Sequence, residues 1–442
     1  MMSDSTLSER GRALAGQSMR SKFGAMIDFY DVETNPNGFV NIGTSENYVM
    51  LPEVAKFASR TFECTPQTFT YGEGPWGSKR LRQAMAKHMN KHFHPVNDIR
   101  ADEILFANGV TSICEMLGFT IAEPGDGILI GQPIYQAFRA DFGTRANVNL
   151  VFAPFEGVDQ FSTACVAKYE QALLKAQESG TKVRALLICH PHNPLGQCYP
   201  KETLAELMKL AQKHKLHLLM DEIYAMSVYD IGDPAAVPFQ SCLSFDSSEY
   251  IDPDLLHVIY GFSKDFGAGG LRLGCMYIRN KELMQAMEAV TQFHWSGALN
   301  DGVAASMLED EEWMSSFFAK SRSALAHNNR MTRQILEEHN VEYSRGSNAG
   351  FFIWVSRADT ASILRTNIHE INLRPWLKNA GVDDEWEAER ILAQRMGEKK
   401  VYITTGESLT AEEPGWFRVI FSQEEAVLRE GLKRVFEAIG PR

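Results

Sequence analysis

The 442-residue sequence lacks several features, and each absence excludes a class of function. No uninterrupted apolar stretch approaches the roughly 18 residues of a membrane-spanning helix, so no membrane span is predicted. The first residues, Met1 to Ser5, are polar and contain no apolar signal core. Basic residues are outnumbered, since 44 Lys and Arg face 56 Asp and Glu, for a net charge of -12. This balance disfavours nucleic acid as a partner, because phosphate backbones require basic surfaces.

Cysteine is also scarce. There are seven cysteines, an odd number, and no two of them form a C-x-x-C pair. This pattern predicts reduced thiols in a cytoplasmic protein and no disulfide framework. The composition, 44% hydrophobic and 23% charged, is that of a globular protein. The chain is longer than most domains with a single hydrophobic core, so two domains are expected.

Short apolar runs alternate with helical patterns from about residue 100 to 280. The predicted strands are Ile104–Ala107, Gly127–Ile130, Val183–Cys189, Leu216–Met220, Leu255–Tyr260 and Leu273–Ile278. Leu81, Met85 and Met89 mark an amphipathic helix that starts near Ser78. Strands that alternate with helices predict an α/β fold with a mostly parallel sheet flanked by helices.

The pattern changes beyond about residue 300, where longer helices precede the apolar segments Gly350–Val355 and Trp416–Phe421. We expect a smaller α+β domain there. The predicted division is an N-terminal arm over residues 1–50 that joins part of the small domain, a large domain over 51–300, and the small domain over 301–442.

Polar residues follow four of the predicted strands, where open α/β sheets bind ligands. After the first, Gly109 permits a tight turn, and the amides of Val110 and Thr111 would open a helix. Free N–H groups at a helix start bind phosphate. An ordinary strand-to-helix turn would have the same sequence.

The second of these four strands, Val183–Cys189, is followed by the segment His190-Pro191-His192-Asn193-Pro194-Leu195-Gly196. Turn residues here would hold the amide of Asn193 over the strand end. The two histidines could suggest a metal, but no third ligand is evident nearby, so none is predicted.

The third and fourth strand ends carry ionisable groups. Asp221 ends an apolar strand and needs a partner if it is buried, and Tyr224 follows it, although both could simply begin a helix. Ser263 and Lys264 follow the next strand, with Arg272 downstream. A desolvated lysine can attack carbonyls to form a Schiff base, whereas a solvated surface lysine has no such role.

Together these residues supply an anion cradle, an amide, a buried carboxylate, a phenol, an amine and an arginine. A pyridoxal phosphate site needs the same groups, because the coenzyme has an aldehyde, a ring nitrogen, a phenolate oxygen and a phosphate.

The ordered motifs resemble the class I/II aminotransferase family of fold-type-I pyridoxal phosphate enzymes, and within it the 1-aminocyclopropane-1-carboxylate synthase-like branch. The resemblance runs from about Asn35 to Phe421. Beyond the strand ends it rests on Asn35–Gly38, Gly43–Asn47, Asn348–Gly350 and Pro414–Val419.

The resemblance implies a role for each residue that matches a motif. Lys264 corresponds to the lysine that binds the coenzyme and acts as general base, and Asp221 to the partner of its ring nitrogen. Asn193 and Tyr224 correspond to the ligands of its phenolate oxygen. Tyr135 corresponds to the aromatic residue stacked on its ring.

Further matches concern the phosphate, the substrate and the neighbouring subunit. Arg418 corresponds to the arginine that takes the substrate carboxylate, and Asn193 is a further candidate for substrate binding. Glu46 is a candidate for binding the side chain of the substrate. Alternatively, it is a loop carboxylate that caps a nearby helix. Tyr71 would reach the phosphate of a partner, since the family forms homodimers with shared active sites. The residues matched to phosphate contacts are Val110, Thr111, Ser263 and Arg272.

The sequence also departs from the synthases. Gly261 replaces a serine often found three residues before the lysine, and Ile134 replaces an aromatic residue. The Tyr-His-Gly element appears as Pro75-Trp76-Gly77, which argues against cyclopropane formation.

The favoured prediction is therefore a lyase in amino acid metabolism that catalyses β- or γ-elimination or replacement on a free L-amino acid. An aminotransferase is the alternative, and a non-catalytic coenzyme-binding module is a distant one.

Overall fold

The computed structural model describes residues 6–16, 28–61, 63–339, 341, 343–355 and 382–440. Its main feature is a seven-stranded sheet with the strand order β2-β8-β7-β6-β5-β3-β4. β8 runs antiparallel to both neighbours, β2 and β7, and every other pairing is parallel. The predicted mostly parallel sheet is confirmed. The strands of the described chain are β1 (Val40–Asn41), β2 (Ile104–Ala107), β3 (Gly127–Gly131), β4 (Asn149–Ala153), β5 (Val183–Cys189), β6 (His217–Asp221), β7 (Leu256–Gly261), β8 (Gly274–Tyr277), β9 (Phe352–Val355), β10 (Val401–Tyr402), β11 (Thr404–Thr405) and β12 (Phe417–Ile420).

Helices surround the sheet, and their starts follow local capping chemistry. Ser78 caps the helix Lys79–His92 by accepting a hydrogen bond from the Leu81 amide at 3.0 Å, and Met85 and Met89 are buried on its apolar face. This confirms the predicted helix start. The other α-helices of the described residues are Glu9–Ala15, Leu51–Thr61, Val110–Ile121, Phe138–Gly143, Cys165–Glu178, Lys201–His214, Lys281–Thr291, Ala298–Glu309, Glu311–Glu338, Glu385–Glu398 and Glu425–Ile439.

Within the large sheet the sequence analysis missed one strand, β4, which forms an edge. It also missed the two-residue strands β1, β10 and β11 of the smaller sheets. Only the last residue of β4, Ala153, is buried, whereas Asn149 is exposed. An edge strand has a neighbour on one side only, so its residues do not form the continuous apolar run that identified the central strands.

The second part of the fold is built on the antiparallel sheet β11-β12-β9 and on the parallel pair β1 and β10. Val40, near the start of the chain, therefore pairs with Val401, near its end. The long helix Glu311–Glu338 serves both cores, since Phe317 packs in the large core and Leu336 in the small one. The domain division near residue 300 stays a prediction.

Among the helices of the described residues, none combines the length and the apolar character that a bilayer crossing requires.

Candidate active site

The carboxyl ends of the parallel strands meet at one edge of the large sheet, and a cavity of about 180 Å³ lies there. Ten of the twelve residues predicted to form the site line it, and Tyr71 and Arg418 do not. The lining residues are Glu46, Val110, Thr111, Tyr135, Phe138, Asp141, Cys189, Asn193, Asp221, Ile223, Tyr224, Ser263, Lys264, Gly269 and Arg272.

Lys264 projects into this cavity from the turn after β7. Its Nζ donates a hydrogen bond to the Ser45 carbonyl oxygen at 2.5 Å. Loss of hydration, reinforced by the positive charge of Arg418, lowers the pKa of Lys264 to about 8, although Glu46 and Asp221 oppose the shift. A substantial fraction of the amine is therefore unprotonated and nucleophilic near neutral pH.

Asp221 is the last residue of β6 and is only 4% exposed. Burial raises the pKa of its carboxyl group to about 7. Its hydrogen bonds are modest, namely the Ile223 amide at 3.4 Å and the thiol of Cys189. A buried carboxylate with such weak donors lacks a strong partner, and a protonated ring nitrogen would supply one.

The anion-binding end of the cavity is built on Gly109, which caps the helix Val110–Ile121 with φ of 89°. A Cβ atom at this position would lie 2.6 Å from Nη2 of Arg272, so a side chain would collide with the guanidinium. Glycine therefore allows Arg272 to approach the first amides of the helix. Helix amides, a guanidinium and the nearby Ser263 form a donor set suited to phosphate.

Gly261, the departure noted in the sequence, lies where the backbone of β8 passes very close. A Cβ atom there would be 2.8 Å from the Leu273 carbonyl oxygen and 3.0 Å from Cα of Gly274. Since both neighbours are backbone atoms, serine at position 261 would require the two strands to separate.

Arg418, on β12, is 2% exposed and contacts Asn193 in the segment after β5. Its Nη1 donates to Oδ1 of Asn193 at 2.8 Å, and its Nη2 donates to the Gly43 carbonyl oxygen at 2.7 Å and to the Thr404 hydroxyl at 3.2 Å. Its Nε is buried and has no partner among the described residues. A buried guanidinium donor without an acceptor is an unusual feature, and a bound carboxylate would satisfy it.

Two tyrosines and the segment around Ser45 complete the inner wall. The hydroxyl of Tyr224 lies 2.9 Å from the Ser45 hydroxyl. Tyr135 lines the cavity with its ring edge against Phe138, and burial raises its pKa to about 12, so the phenol stays neutral.

Glu46 lines the cavity as well and remains exposed. Its carboxylate accepts a hydrogen bond from the Tyr48 hydroxyl, and its carbonyl oxygen accepts one from the Ser422 hydroxyl. It therefore provides a negative group on the side of the cavity formed by the N-terminal segment.

Tyr71 lies away from the cavity of its own chain. Its side chain is 85% exposed, and its ring is 5.5 Å from that of Trp295.

The two histidines of the second motif have other partners. His190 uses one ring nitrogen with the Gln240 carbonyl oxygen at 3.0 Å and accepts the Tyr199 amide with the other at 3.2 Å. Over the ranges that the structure describes, no cluster of three metal-ligating side chains occurs.

Sequence reasoning missed five residues that line the cavity, namely Phe138, Asp141, Cys189, Ile223 and Gly269. It also missed Ser45, whose carbonyl oxygen accepts the hydrogen bond from Lys264. Cys189 could have been found, because it ends β5 and pairs in register with Asp221. Asp141 hydrogen-bonds the Thr111 side chain from the helix Phe138–Gly143. Nothing in the local sequence indicates that Asp141 or Ser45 reaches the cavity.

Comparisons with known proteins agree with this geometry. A family model described as aminotransferase class I and II matches residues 37–435. The chain belongs to this family.

Curated relatives identify the branch. The chain is 30% identical to mouse 1-aminocyclopropane-1-carboxylate synthase-like protein 1, covering 98% of this chain and 83% of that protein. It is also 30% identical to a mouse relative named probable inactive 1-aminocyclopropane-1-carboxylate synthase-like protein 2, over 97% of this chain and 71% of that protein. Tomato 1-aminocyclopropane-1-carboxylate synthase 2 is 28% identical, over 92% and 81%. The family and branch expected from the sequence are confirmed.

Solved structures support the fold alone. An aspartate aminotransferase tetra mutant of Thermus thermophilus, complexed with tryptophan, aligns with a TM-score of 0.75 at 19% identity, covering 98% of this chain and 100% of that one. The predicted fold-type-I architecture is confirmed. Family membership implies pyridoxal phosphate as the coenzyme, and the weakly hydrogen-bonded Asp221, the Gly109 turn and the position of Lys264 fit that group.

Proposed function

We propose that this chain is a pyridoxal-phosphate-dependent lyase that acts on a free L-amino acid by β- or γ-elimination or replacement. The observation that carries the proposal is that one cavity gathers Lys264, Asp221 and the anion-binding helix start. A relative named probable inactive makes the direct test of activity the first requirement.

The cavity residues have distinct tasks in holding the coenzyme. Asp221 would pair with the ring nitrogen, Asn193 and Tyr224 would donate to the phenolate oxygen, and Tyr135 would cover the ring face. The remaining contacts, to the phosphate, would come from Val110, Thr111, Ser263 and Arg272. When bound, pyridoxal phosphate supplies an electron sink for the bond that breaks at the substrate's α carbon.

Lys264 would act as the general base. Its lowered pKa, about 8, favours the free amine that can remove the proton from the α carbon. Arg418 would bind the substrate carboxylate and so fix which bond of the α carbon faces Lys264. The partnerless Nε of Arg418 supports this assignment.

Replacement of Arg418 with lysine should raise KM for the amino acid by about 30-fold or more while kcat falls less, because lysine keeps the charge and loses the bidentate geometry. Steady-state kinetics would measure this. Arg434→Lys is a matched control, since Arg434 is also buried but bonds Glu430 and the carbonyl oxygens of Gly38 and Lys400. Equal KM changes in both variants would contradict the assignment.

Glu46 supports the lyase over the aminotransferase. A carboxylate on the cavity wall favours a cationic or amino-bearing substituent, such as an activated sulfur group, and transamination of ordinary amino acids does not need one. The aminotransferase remains the second candidate, favoured by the family model itself.

A panel of amino acids incubated with the loaded enzyme separates the two reactions. A lyase that eliminates releases ammonia and a thiol or other leaving group without a 2-oxo acid acceptor. A lyase that replaces releases the leaving group, takes up the added nucleophile in its place and keeps the amino group on the product. An oxo acid that forms only when an acceptor is present, without ammonia, would establish the aminotransferase instead. No turnover of any substrate by protein that binds the coenzyme would favour the non-catalytic module.

We also propose a homodimer with shared active sites. An exposed aromatic face, formed by Phe69, Tyr71, Phe293 and Trp295, would be covered by a second copy, and Tyr71 would reach the partner's phosphate site. Phe69 and Phe293 are 74% and 71% exposed, values unusual for phenylalanine.

The seven free cysteines favour a reducing compartment, such as the cytoplasm.

Mixing two inactive variants tests whether the subunits share their active sites. Tyr71→Ala and Lys264→Ala homodimers should each be nearly inactive. A random mixture should recover about a quarter of the wild-type activity, because half the dimers are hybrids with one intact site. No recovery in verified hybrids would mean that Tyr71 acts within its own chain, and an active Tyr71→Ala homodimer would mean that Tyr71 has no role in the reaction.

A further inference from the structure

Asp265, which follows Lys264 directly, is 1% exposed and does not line the cavity. Its carboxylate accepts three hydrogen bonds. The Ser227 hydroxyl donates to Oδ1 at 2.6 Å, while the Met226 amide and the Tyr260 hydroxyl donate to Oδ2 at 2.8 and 2.9 Å. These partners lie on two different segments, the turn after β6 and the strand β7.

The two turns joined by Asp265 carry the central groups of the cavity. Asp221 ends β6 and Tyr224 lies in the turn that follows, whereas Ser263 and Lys264 lie in the turn after β7. The β6–β7 ladder ends where Asp221 pairs with Ile259, followed by one further bond from the Glu222 amide to Ile259. Beyond that point, the carboxylate of Asp265 joins the two turns.

We propose that Asp265 is a positioning residue, whose buried carboxylate locks the turn of Lys264 against the turn of Asp221 and Tyr224. Its action is geometric, because its carboxylate accepts hydrogen bonds from Met226, Ser227 and Tyr260, whereas the Lys264 amine donates to the Ser45 carbonyl oxygen. The inference rests on the proposed role of Lys264 as the coenzyme lysine.

Glu222 offers a matched control. It is also a fully buried carboxylate, and it accepts hydrogen bonds from the Ser241 hydroxyl at 2.6 Å and the Cys242 amide at 2.8 Å. These partners lie in a separate loop, so Glu222 is tied to the fold but not to the Lys264 turn. Loss of either carboxylate should lower thermal stability, but only the loss of Asp265 should move Lys264.

The experiment compares Asp265→Ala, Asp265→Asn and Glu222→Gln with the wild type. Three quantities are measured: the coenzyme Kd of the apoprotein, the pH midpoint of the visible absorption band of the lysine-bound coenzyme, and the thermal unfolding temperature. For Asp265→Ala we expect Kd to rise about 10-fold and kcat to fall roughly 100-fold, since small misplacements of reacting groups are costly.

The absorption midpoint should move upward in Asp265→Ala, because the donors Tyr224 and Asn193 lose their alignment with the phenolate oxygen. Asp265→Asn should restore most of Kd and the midpoint. Its carbonyl oxygen can still accept from Met226 and Tyr260, and the Ser227 hydroxyl can turn to accept from its amide. Glu222→Gln should lower the unfolding temperature alone.

An Asp265→Ala protein that behaves like Glu222→Gln, less stable but unchanged in Kd and midpoint, would overturn the inference. So would an Asp265→Asn variant as impaired as Asp265→Ala. If Asp265→Ala does not fold, Ser227→Ala removes one of the three bonds, and the same readouts should move by a smaller amount. An unchanged coenzyme Kd and an unchanged absorption midpoint in folded Ser227→Ala would then overturn the proposal that Asp265 holds the two turns together. A wild type without the lysine-bound band would instead refute the proposed function.

Discussion

Replacement of Lys264 with alanine is expected to remove the visible absorption of the loaded protein and to lower kcat by about 10,000-fold or more. Lys264 combines two tasks, because its amine would hold the coenzyme covalently and remove the substrate proton. Its lowered pKa and its position in the cavity support both tasks. Absorption spectra and single-turnover rates of the purified variant would measure the effect.

The control for this variant is Lys209→Ala. Lys209 is an exposed lysine paired with Glu206 at 2.7 Å on the helix Lys201–His214, and it does not line the cavity. The Lys209→Ala variant should have the same absorption spectrum and the same rate as the wild type. If Lys264→Ala kept the absorption band and turned over substrate like Lys209→Ala, another amine would have to carry the coenzyme, and the central assignment would fail.

Replacement of Asp221 with asparagine should lower kcat by about 100-fold to 1,000-fold while the coenzyme still attaches to Lys264. Asparagine keeps the size of the side chain and removes the negative charge that would keep the ring nitrogen protonated. Without that proton the ring is a poorer electron sink, so cleavage at the α carbon slows. The rate and the absorption band should therefore respond differently, the first falling steeply and the second persisting.

Glu222→Gln again provides the comparison, because Glu222 is the adjacent buried carboxylate and burial raises its pKa to about 8. A general effect of losing a buried carboxyl group would appear in both variants alike. If Asp221→Asn retained the kcat of Glu222→Gln, the carboxylate at position 221 would have a structural role only.

The strand-end residues were predictable from sequence for a definite reason. Asn193, Asp221 and Lys264 each follow a buried apolar strand, and parallel strands bring their carboxyl ends to one edge. Once the strands were located, their proximity followed. The same rule would have included Cys189, which ends β5 opposite Asp221.

Contacts between distant segments could not be predicted in this way. Arg418 and Asn193 are 225 positions apart, the first on β12 and the second in the segment after β5. Ser45 reaches Lys264 only because β1 pairs with β10 and carries the N-terminal segment across the site. No local periodicity encodes such pairings, since they depend on how two cores pack together.

The sequence by itself determined the family, the central strands and the chemical identity of the cavity groups, because local patterns and motif order specify them. Only the tertiary structure decided how those groups are held: the partnerless Nε of Arg418, the crowding at Gly261 and the lock made by Asp265. Each depends on atoms from segments far apart in the chain, whose distances are set by packing.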